Sequence, residues 1–195
     1  MRQAEVERNT KETRIKLSLD IDGKGMSEVS TGIGFFDHML TALARHSGFD
    51  IRLVCDGDLE VDGHHTVEDV GIVLGQALLK ALGDKLGIQR YGSSRAPMDE
   101  ALISVDLDIS GRPFIVYNVD HRFPMIGDFD VSLAEEFFRA FAFNAGITLH
   151  INCIYGRNDH HIVEASFKAL AQALRKACSI DQRFADVLPS TKGML

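Results

Sequence analysis

Apolar and polar residues alternate in two well-separated stretches of the chain, and each stretch ends in a glycine. Ile15 to Gly23 shows the alternation of a half-buried strand that ends in a turn, and Ile103 to Gly111 repeats both features. Further strands are predicted over Phe49 to Cys55 and over Ile147 to Ile154. Because the pattern returns in the same order, it indicates an internal repeat.

Apolar residues recur every three or four positions in four other segments, which predicts four helices. Phe35 to Leu43 and Leu133 to Phe141 form the first pair of corresponding helices. Val67 to Leu82 and Val163 to Cys178 form the second pair. The order of strand, strand, helix, strand and helix is typical of an α+β layer, so the chain is predicted to contain two such layers related by a pseudo-twofold.

The repeat divides the 195 residues into two halves that we expect to fuse into one domain. Residues 1–92 are predicted to form the first α+β half, and residues 93–195 the second. Each half is expected to have a mainly antiparallel sheet with its helices on one face. Gly83 to Arg95, with three glycines, is interpreted as the connection, and Pro189 to Leu195 has the composition of a tail.

Charge and composition exclude several classes of function. The formal net charge of −7 argues against nucleic-acid binding, which usually needs a basic surface. No apolar run is long enough to span a bilayer, and the N-terminal residues lack the apolar centre of a signal peptide, so a cytoplasmic protein without membrane contacts is expected. Three cysteines without C-x-x-C spacing leave histidine and carboxylate as the expected metal ligands.

The most informative motif is a pair of adjacent histidines followed, after two further residues, by a glutamate. His64–Glu68 reads HHTVE and His160–Glu164 reads HHIVE, and each string runs into a predicted helix. Each histidine stands three or four positions before the glutamate, so either imidazole can share a helix face with the carboxylate. A single copy is more typical of histidines that merely cap a helix or satisfy backbone groups. Two copies favour a duplicated metal site, since imidazole and carboxylate suit divalent first-row metals.

Adjacent side chains on a helix diverge, so the two histidines of each string are expected to serve two different metal ions. His38 lies on the apolar stripe of the first predicted helix and could be an ordinary core-edge histidine. Its position in the repeat corresponds to Glu136, and His and Glu are interchangeable as ligands but not as packing residues, which favours a metal role. His121 and His150 lack such support and are interpreted as ordinary residues.

Along nearly its full length the chain resembles the imidazoleglycerol-phosphate dehydratase family. The matching segments are Arg8 to Thr13, Phe36 to Leu40, His64 to Asp69, Ser110 to Pro113, Asn158 to Ala165 and Pro189 to Gly193. The resemblance implies a manganese-dependent carbon–oxygen lyase of L-histidine biosynthesis. Its expected reaction is the dehydration of D-erythro-imidazole-glycerol phosphate to imidazole acetol phosphate.

The resemblance also implies two manganese(II) ions in each active site. The implied ligands are His38, His64, His65, Glu68, Glu136, His160, His161 and Glu164. The chain departs from one common form of the family at position 136, where that form has a histidine; glutamate can also bind manganese, although metal preference or affinity could change. By the same resemblance, the metals make the imidazole ring able to expel the hydroxyl as water, and a base then removes the proton of the next carbon.

Catalytic roles are expected for Glu12, His65 and Glu164, with Glu12 as an acid or base. From local sequence alone, Glu12 would be interpreted as a solvent-exposed carboxylate. Arginine suits phosphate because its planar fork donates two hydrogen bonds, and the resemblance places Arg90 and Arg112 at the phosphate. The full set of expected substrate-binding residues is Glu12, His38, His46, His64, His65, Glu68, Arg90, Arg112, His160, His161, Lys168, Ser190, Thr191 and Lys192.

The fold implied by the resemblance is a tandem pair of ribosomal-S5-domain-2-like halves, each a four-stranded sheet with two helices on one face. It also implies a 24-subunit homo-oligomer with active sites between subunits. Two other functions remain open from the residues alone. A dinuclear hydrolase of phosphate esters would use the same ligands to activate water, and a metal-buffering or metal-templated assembly protein would use the histidines to join subunits.

Overall fold

The computed structural model of the chain describes residues 2–195. The first half contains β1 (Gln3–Asn9), β2 (Thr13–Asp20), β3 (Ser27–Ser30), α1 (Gly34–Ser47), β4 (Asp50–Gly57) and α2 (His64–Leu82). The second half contains β5 (Tyr91–Met98), β6 (Ala101–Asp108), β7 (Phe114–Asn118), β8 (Met125–Ile126), β9 (Phe129–Asp130), α3 (Ser132–Ala145), β10 (Thr148–Tyr155) and α4 (Asp159–Cys178). A one-turn 3₁₀ helix, Gln182–Phe184, precedes the C-terminal tail.

The two halves build sheets of the same topology. The strand order is β1-β2-β4-β3 in one sheet and β5-β6-β10-β7 in the other, with the last pair of each parallel and the rest antiparallel. Ile15 pairs with Cys55 in the first sheet, and Ile103 pairs with Cys153 in the second. The predicted α+β fold of two similar halves, each with a four-stranded sheet and two helices, is therefore confirmed; the second half also has a separate two-stranded sheet, β8-β9.

The strands that the hydrophobic pattern did not predict lie mostly at sheet edges. β1 and β5 are the outer strands next to β2 and β6, and β5 begins at Tyr91, inside the segment interpreted as the connection. Its sequence contains glycine, serines and a proline, which an edge strand tolerates because one side of its backbone needs no partner strand. The boundary drawn after residue 92 thus falls two residues into β5.

The helices lie between the two sheets and join the halves through one hydrophobic core. α2 packs against α3, and α1 packs against α4, so each helix contacts the opposite half as well as its own sheet. Gly71 and Gly75 let α2 approach α3 closely: a Cβ at Gly75 would lie 2.6 Å from the Phe141 carbonyl oxygen. No helix within residues 2–195 has the length and apolar character required to cross a membrane.

Replacing Gly75 with alanine is expected to destabilise the protein. The new Cβ would meet backbone atoms of Phe141 and Ala145 at less than 3 Å, and backbone cannot move aside as a flexible side chain can. Although alanine favours helices by about 1 kcal/mol over glycine, the overpacking should lower the free energy of unfolding by about 1–3 kcal/mol. Denaturant unfolding measures this change.

The matched control is Gly34→Ala at the start of α1, where a Cβ has no atom within 4 Å. This variant should unfold at or slightly above the wild-type denaturant concentration, because it adds a methyl group in open space. A Gly75→Ala protein as stable as Gly34→Ala would show that α2 and α3 are not closely packed at this crossing.

Candidate active site and metal centre

One carboxylate brings the two halves together at the candidate metal centre. Glu164 lies in the first turns of α4, and its Oε2 is 3.1 Å from Nε2 of His160 and 3.3 Å from Nε2 of His38 on α1. The donor atoms of these three residues all lie within 4.8 Å of one another. Within residues 2–195 they are the one group of three or more His, Cys, Asp or Glu side chains arranged to hold a metal ion.

The local sequence fixes the start of α4 and therefore the direction of these side chains. The Asn158 side chain accepts a hydrogen bond from the backbone N–H of His160, which satisfies one of the free donors of the first helical turn. Asp159 accepts hydrogen bonds from the backbone N–H groups of Arg122 and Phe123, and so ties the loop after β7 to this turn. His160 and Glu164 then lie one turn apart on the same face.

Glu164 carries a negative charge in a largely buried position. Only 8% of its side chain is exposed, and Lys168 donates to its other oxygen at 2.6 Å. Burial by itself would raise the pKa of Glu164, but the hydrogen bond and charge of Lys168, together with His38, hold that pKa below its ordinary value. His46 lies nearby on α1, where burial first and the Lys168 charge second lower its pKa.

The first histidine string makes a different set of contacts. Nε2 of His64 lies 3.7 Å from Glu68, and both side chains are more than two-fifths exposed. Nδ1 of His65 lies 3.0 Å from Asp58, whereas its Nε2 faces Glu12 at 3.9 Å. The hydrogen bond to Asp58 raises the pKa of His65. His64, His65 and Glu68 therefore do not form a group of three donors within the described part of the chain.

Glu12 lies in the turn between β1 and β2, and a buried carboxylate anchors that turn. Asp69 on α2 accepts hydrogen bonds from Thr13 at 2.5 Å and from Arg8 at 2.8 Å. Asp69 is buried, which strengthens both interactions because water does not screen them. The Glu12 side chain is 53% exposed next to His65. The turn is therefore held firmly while its carboxylate remains accessible.

His161 is also held by carboxylates. Its Nδ1 lies 2.8 Å from Oε2 of Glu100, in the turn between β5 and β6, and its Nε2 lies 3.6 Å from Asp99. The other oxygen of Glu100 accepts hydrogen bonds from the backbone N–H groups of Arg157 and Asn158. The hydrogen bond from His161, followed by that from Asn158, lowers the pKa of Glu100 to about 2.

Glu136 is not part of the group formed by His38, His160 and Glu164. It lies on α3, one third exposed, with its carboxylate 3.7 Å from Arg139 in an i,i+3 ion pair. Its equivalence to His38 in the repeat agrees with their positions on α3 and α1, the corresponding helices of the two halves. Its role as a ligand stays a prediction.

The residues expected to bind phosphate gather at the end of β6. Asp108 accepts two hydrogen bonds from Arg90, at 2.7 and 3.1 Å, and lies 3.6 Å from Arg112. Arg90 also donates to the Pro189 carbonyl at 2.8 Å, which docks the tail beside these guanidinium groups. Ser190 donates to the Met194 carbonyl, and Ser190, Thr191 and Lys192 are accessible in this tail. Arg112 is the more exposed guanidinium, at 65%.

Sequence reasoning missed Asp58 and Glu100. Glu100 could have been found by counting: it precedes Ile103 by the same three positions by which Glu12 precedes the matching Ile15. No comparable signal marks Asp58, which stands seven residues before His65 in a loop. Asp159 was likewise unassigned. Its carboxylate lies 3.3 Å from Nδ1 of His121, which gives that histidine a structural partner.

Two halves with a shared helical core and a histidine–carboxylate group between α1 and α4 define a duplicated α+β protein with a candidate metal site. The sequence model of a family described as imidazoleglycerol-phosphate dehydratase matches residues 31–174. The chain belongs to the imidazoleglycerol-phosphate dehydratase family.

Relatives and solved structures agree with this assignment. Imidazoleglycerol-phosphate dehydratases from Cereibacter sphaeroides and Caldanaerobacter subterraneus are each 57% identical to the chain over 195 residues, with all of both chains covered. The Staphylococcus aureus enzyme structure has a TM-score of 0.84 at 41% identity, covering 92% of this chain and 99% of that one. The Pyrococcus furiosus enzyme, in complex with (S)-C348, has a TM-score of 0.83 at 40% identity, covering 97% and 100%.

Proposed function

We propose that the protein is a manganese-dependent hydro-lyase that dehydrates imidazole glycerol phosphate to imidazole acetol phosphate in L-histidine biosynthesis. The observation that carries the proposal is the group of His38, His160 and Glu164, whose donor atoms lie within 4.8 Å of one another in a chain of this family. The pathway of the family is the reason to expect the protein in the cytoplasm.

The residues of the group fit a manganese(II) ion. Imidazole nitrogen and carboxylate oxygen are suitable donors for a divalent first-row metal, and the buried carboxylate supplies negative charge. His38, His160 and Glu164 would hold one ion, and His64, His65, Glu68, His161 and Glu136 are the further ligands that we propose for the two-ion site. When bound, manganese supplies a Lewis acid that stabilises negative charge on the imidazole of the substrate.

The reaction breaks a C–O bond and the C–H bond of the neighbouring carbon, releases water, and leaves an enol that becomes the ketone. Glu12 is the residue that we propose to move the proton, because it is exposed and stands beside His65. Lys168 keeps Glu164 ionised through their 2.6 Å contact, which favours its role as a ligand. We further propose that Glu164 and His65 contact the reacting part of the substrate.

Phosphate binding is proposed for Arg90, Arg112, Ser190 and Lys192. Arg90 is held by Asp108 and by the Pro189 carbonyl, so it is placed before a ligand arrives. Arg112 is accessible to an anion, since most of its side chain is exposed although it lies 3.6 Å from Asp108. Thr191 and His46 are proposed to line the same substrate site, the latter in its neutral form because its pKa is lowered.

We propose that several copies of the chain complete each active site. Within the described residues, His64, His65 and Glu68 do not form a group of three donors close enough to share one ion, which is the arrangement expected if another copy supplies ligands. Large apolar side chains such as Phe114, Phe123 and Tyr155 are more than half exposed, a cost that burial between subunits would remove. The resemblance to the family favours 24 subunits.

Turnover of imidazole glycerol phosphate by chelator-stripped protein, before and after addition of manganese(II), tests the function. We expect the enol–ketone product to form only after the metal is restored. Release of inorganic phosphate from p-nitrophenyl phosphate should remain at the buffer rate, since the site is proposed to expel a hydroxyl rather than to hydrolyse an ester. Light scattering on the same samples reports the assembly.

Phosphate release without dehydration would support a dinuclear hydrolase instead. Metal-dependent assembly without either reaction would support a metal-templated assembly protein. Absence of turnover in assembled, manganese-loaded protein would exclude the proposed dehydratase.

A further inference from the structure

The second histidine of each string is fixed by a carboxylate from a loop of its own half. Asp58 lies 3.0 Å from Nδ1 of His65, and Glu100 lies 2.8 Å from Nδ1 of His161. In both cases Nε2 is directed elsewhere, toward Glu12 and Asp99 respectively, at 3.9 and 3.6 Å. The two halves therefore present this histidine in the same way, although the holding carboxylates come from different loops.

An ionised carboxylate can only accept a hydrogen bond, so Nδ1 of each histidine must be the donor. In a neutral imidazole the proton on Nδ1 leaves the lone pair on Nε2, which is the form that binds a metal. The same hydrogen bond also fixes the plane of the ring. Asp58 and Glu100 thus select both the tautomer and the orientation that His65 and His161 need as ligands.

The repeat register shows that these two carboxylates are not counterparts. Ile15 and Ile103 occupy equivalent positions opposite Cys55 and Cys153, so Glu100 corresponds to Glu12, three residues before the isoleucine in each half. A bulge between Cys153 and Tyr155 shifts the second half by one residue, so Gly156 matches Gly57 and the position equivalent to Asp58 is Arg157. One glutamate of the duplicated pair therefore holds a histidine, and the other does not.

Asp58 and Glu12 are nevertheless neighbours. The backbone N–H of Asp58 donates to the carbonyl of Glu12 at 3.0 Å, which joins the loop after β4 to the turn between β1 and β2. Asp58 can therefore occupy Nδ1 of His65 while the Glu12 side chain stays 53% exposed on the other side of the ring. In the second half, the Glu100 carboxylate already accepts hydrogen bonds from His161 and from two backbone N–H groups.

We propose that Asp58 and Glu100 are positioning residues for the metal ligands His65 and His161. Because Asp58 holds His65, Glu12, which is the repeat counterpart of Glu100, remains available to act on the substrate. This inference rests on the metal-dependent function proposed above. The duplicated halves have diverged: the second uses its turn glutamate to build the metal site, whereas the first uses a loop aspartate for that purpose and retains the glutamate for chemistry.

Glu100→Gln gives the sharper test because it is isosteric. Its amide oxygen can still accept from Arg157 and Asn158, so the loop before α4 stays in place, but its NH₂ group then faces His161. A facing donor favours the opposite tautomer, with the proton on Nε2. We expect the Kd for manganese(II), measured by electron paramagnetic resonance of the free ion, to rise about 10-fold to 100-fold.

Solid-state ¹⁵N NMR of histidine-labelled, metal-free protein reports the tautomers directly. The wild type should show an Nδ1–H signal for His161 in the neutral form, and Glu100→Gln should convert it to Nε2–H. A residue that merely stabilised the fold would not move this signal. Thermal unfolding of both proteins should occur at similar temperatures.

Asp58→Ala removes the acceptor at His65 and should also weaken manganese(II) binding by about 10-fold to 100-fold. Asp58→Asn, which keeps a carbonyl that can accept from Nδ1, should recover much of this affinity. Asp56→Asn is the matched control, since Asp56 lies two residues before Asp58, near the end of β4, in an exposed ion pair with Arg14. Its metal affinity should equal that of the wild type.

The outcomes separate this inference from the function on which it rests. Wild-type protein that binds no manganese(II) would overturn the proposed function and the inference together. Tight binding by the wild type with an unchanged Kd in both Glu100→Gln and Asp58→Ala would overturn the inference alone. Weaker binding together with the His161 tautomer change would support it.

Discussion

Glu164→Gln is expected to lower kcat for imidazole glycerol phosphate by roughly 10³-fold or more and to weaken manganese(II) binding at the same time. Glu164 is the one side chain that faces both His38 and His160 through a single oxygen, so it holds together donors from α1 and α4. A neutral amide keeps the shape but removes the negative charge that a divalent cation needs.

The substitution also leaves Lys168 without its partner. In the wild type the Lys168 ammonium lies 2.6 Å from the Glu164 carboxylate. With glutamine at position 164 the ammonium would remain as an uncompensated positive charge at the site. That charge would further disfavour a metal cation, which is why the loss of affinity should exceed the loss caused by one donor atom alone. Kinetics at saturating and limiting manganese(II) separate the two contributions.

Glu28→Gln is the matched control for this experiment. Glu28 lies on β3 in an exposed ion pair with Arg52, and the loss of such a pair changes stability by about 0.2–1 kcal/mol. Its kcat and metal affinity should therefore match the wild type. Full activity of Glu164→Gln with wild-type metal affinity would contradict the assignment of Glu164 as a ligand.

The elements that could be predicted from the sequence are those with a one-sided burial pattern. β2 buries every second residue, and the helices bury one stripe, so periodicity identifies both kinds of element and reveals their repetition. β5 gives no such signal because an edge strand with small and polar residues has little to bury. Its place in the sheet is set by antiparallel pairing with β6, which follows directly along the chain, and not by a burial pattern of its own.

The candidate site divides in a similar way. The histidine strings are recognisable because ligands lie at fixed spacing on a helix, and the repeat doubles the signal. The carboxylates that hold His65 and His161 come from loops whose approach to α2 and α4 depends on the tertiary fold. Periodicity cannot find such residues, although the strand register would have paired Glu100 with Glu12.

Glu12→Gln is expected to lower kcat by roughly 10²-fold to 10⁴-fold while leaving the Kd for manganese(II) unchanged. Glu12 is exposed, lies 3.9 Å from His65, and makes its contacts to Asp58 through the backbone rather than the side chain. Glutamine at this position therefore preserves the turn but cannot move a proton. This pattern is the reverse of that expected for Glu100→Gln, whose main effect should be on metal affinity.

Paired measurements on these two variants test the divergence of the halves. Glu7→Gln, on β1 in an exposed ion pair with Lys16, is the matched control and should behave as the wild type in both assays. If Glu12→Gln weakened metal binding as strongly as Glu100→Gln, the two glutamates would still share the positioning role that duplication gave them. If it lowered kcat alone, the turn carboxylate of the first half would act on the substrate, as expected when Asp58 holds Nδ1 of His65 in its place.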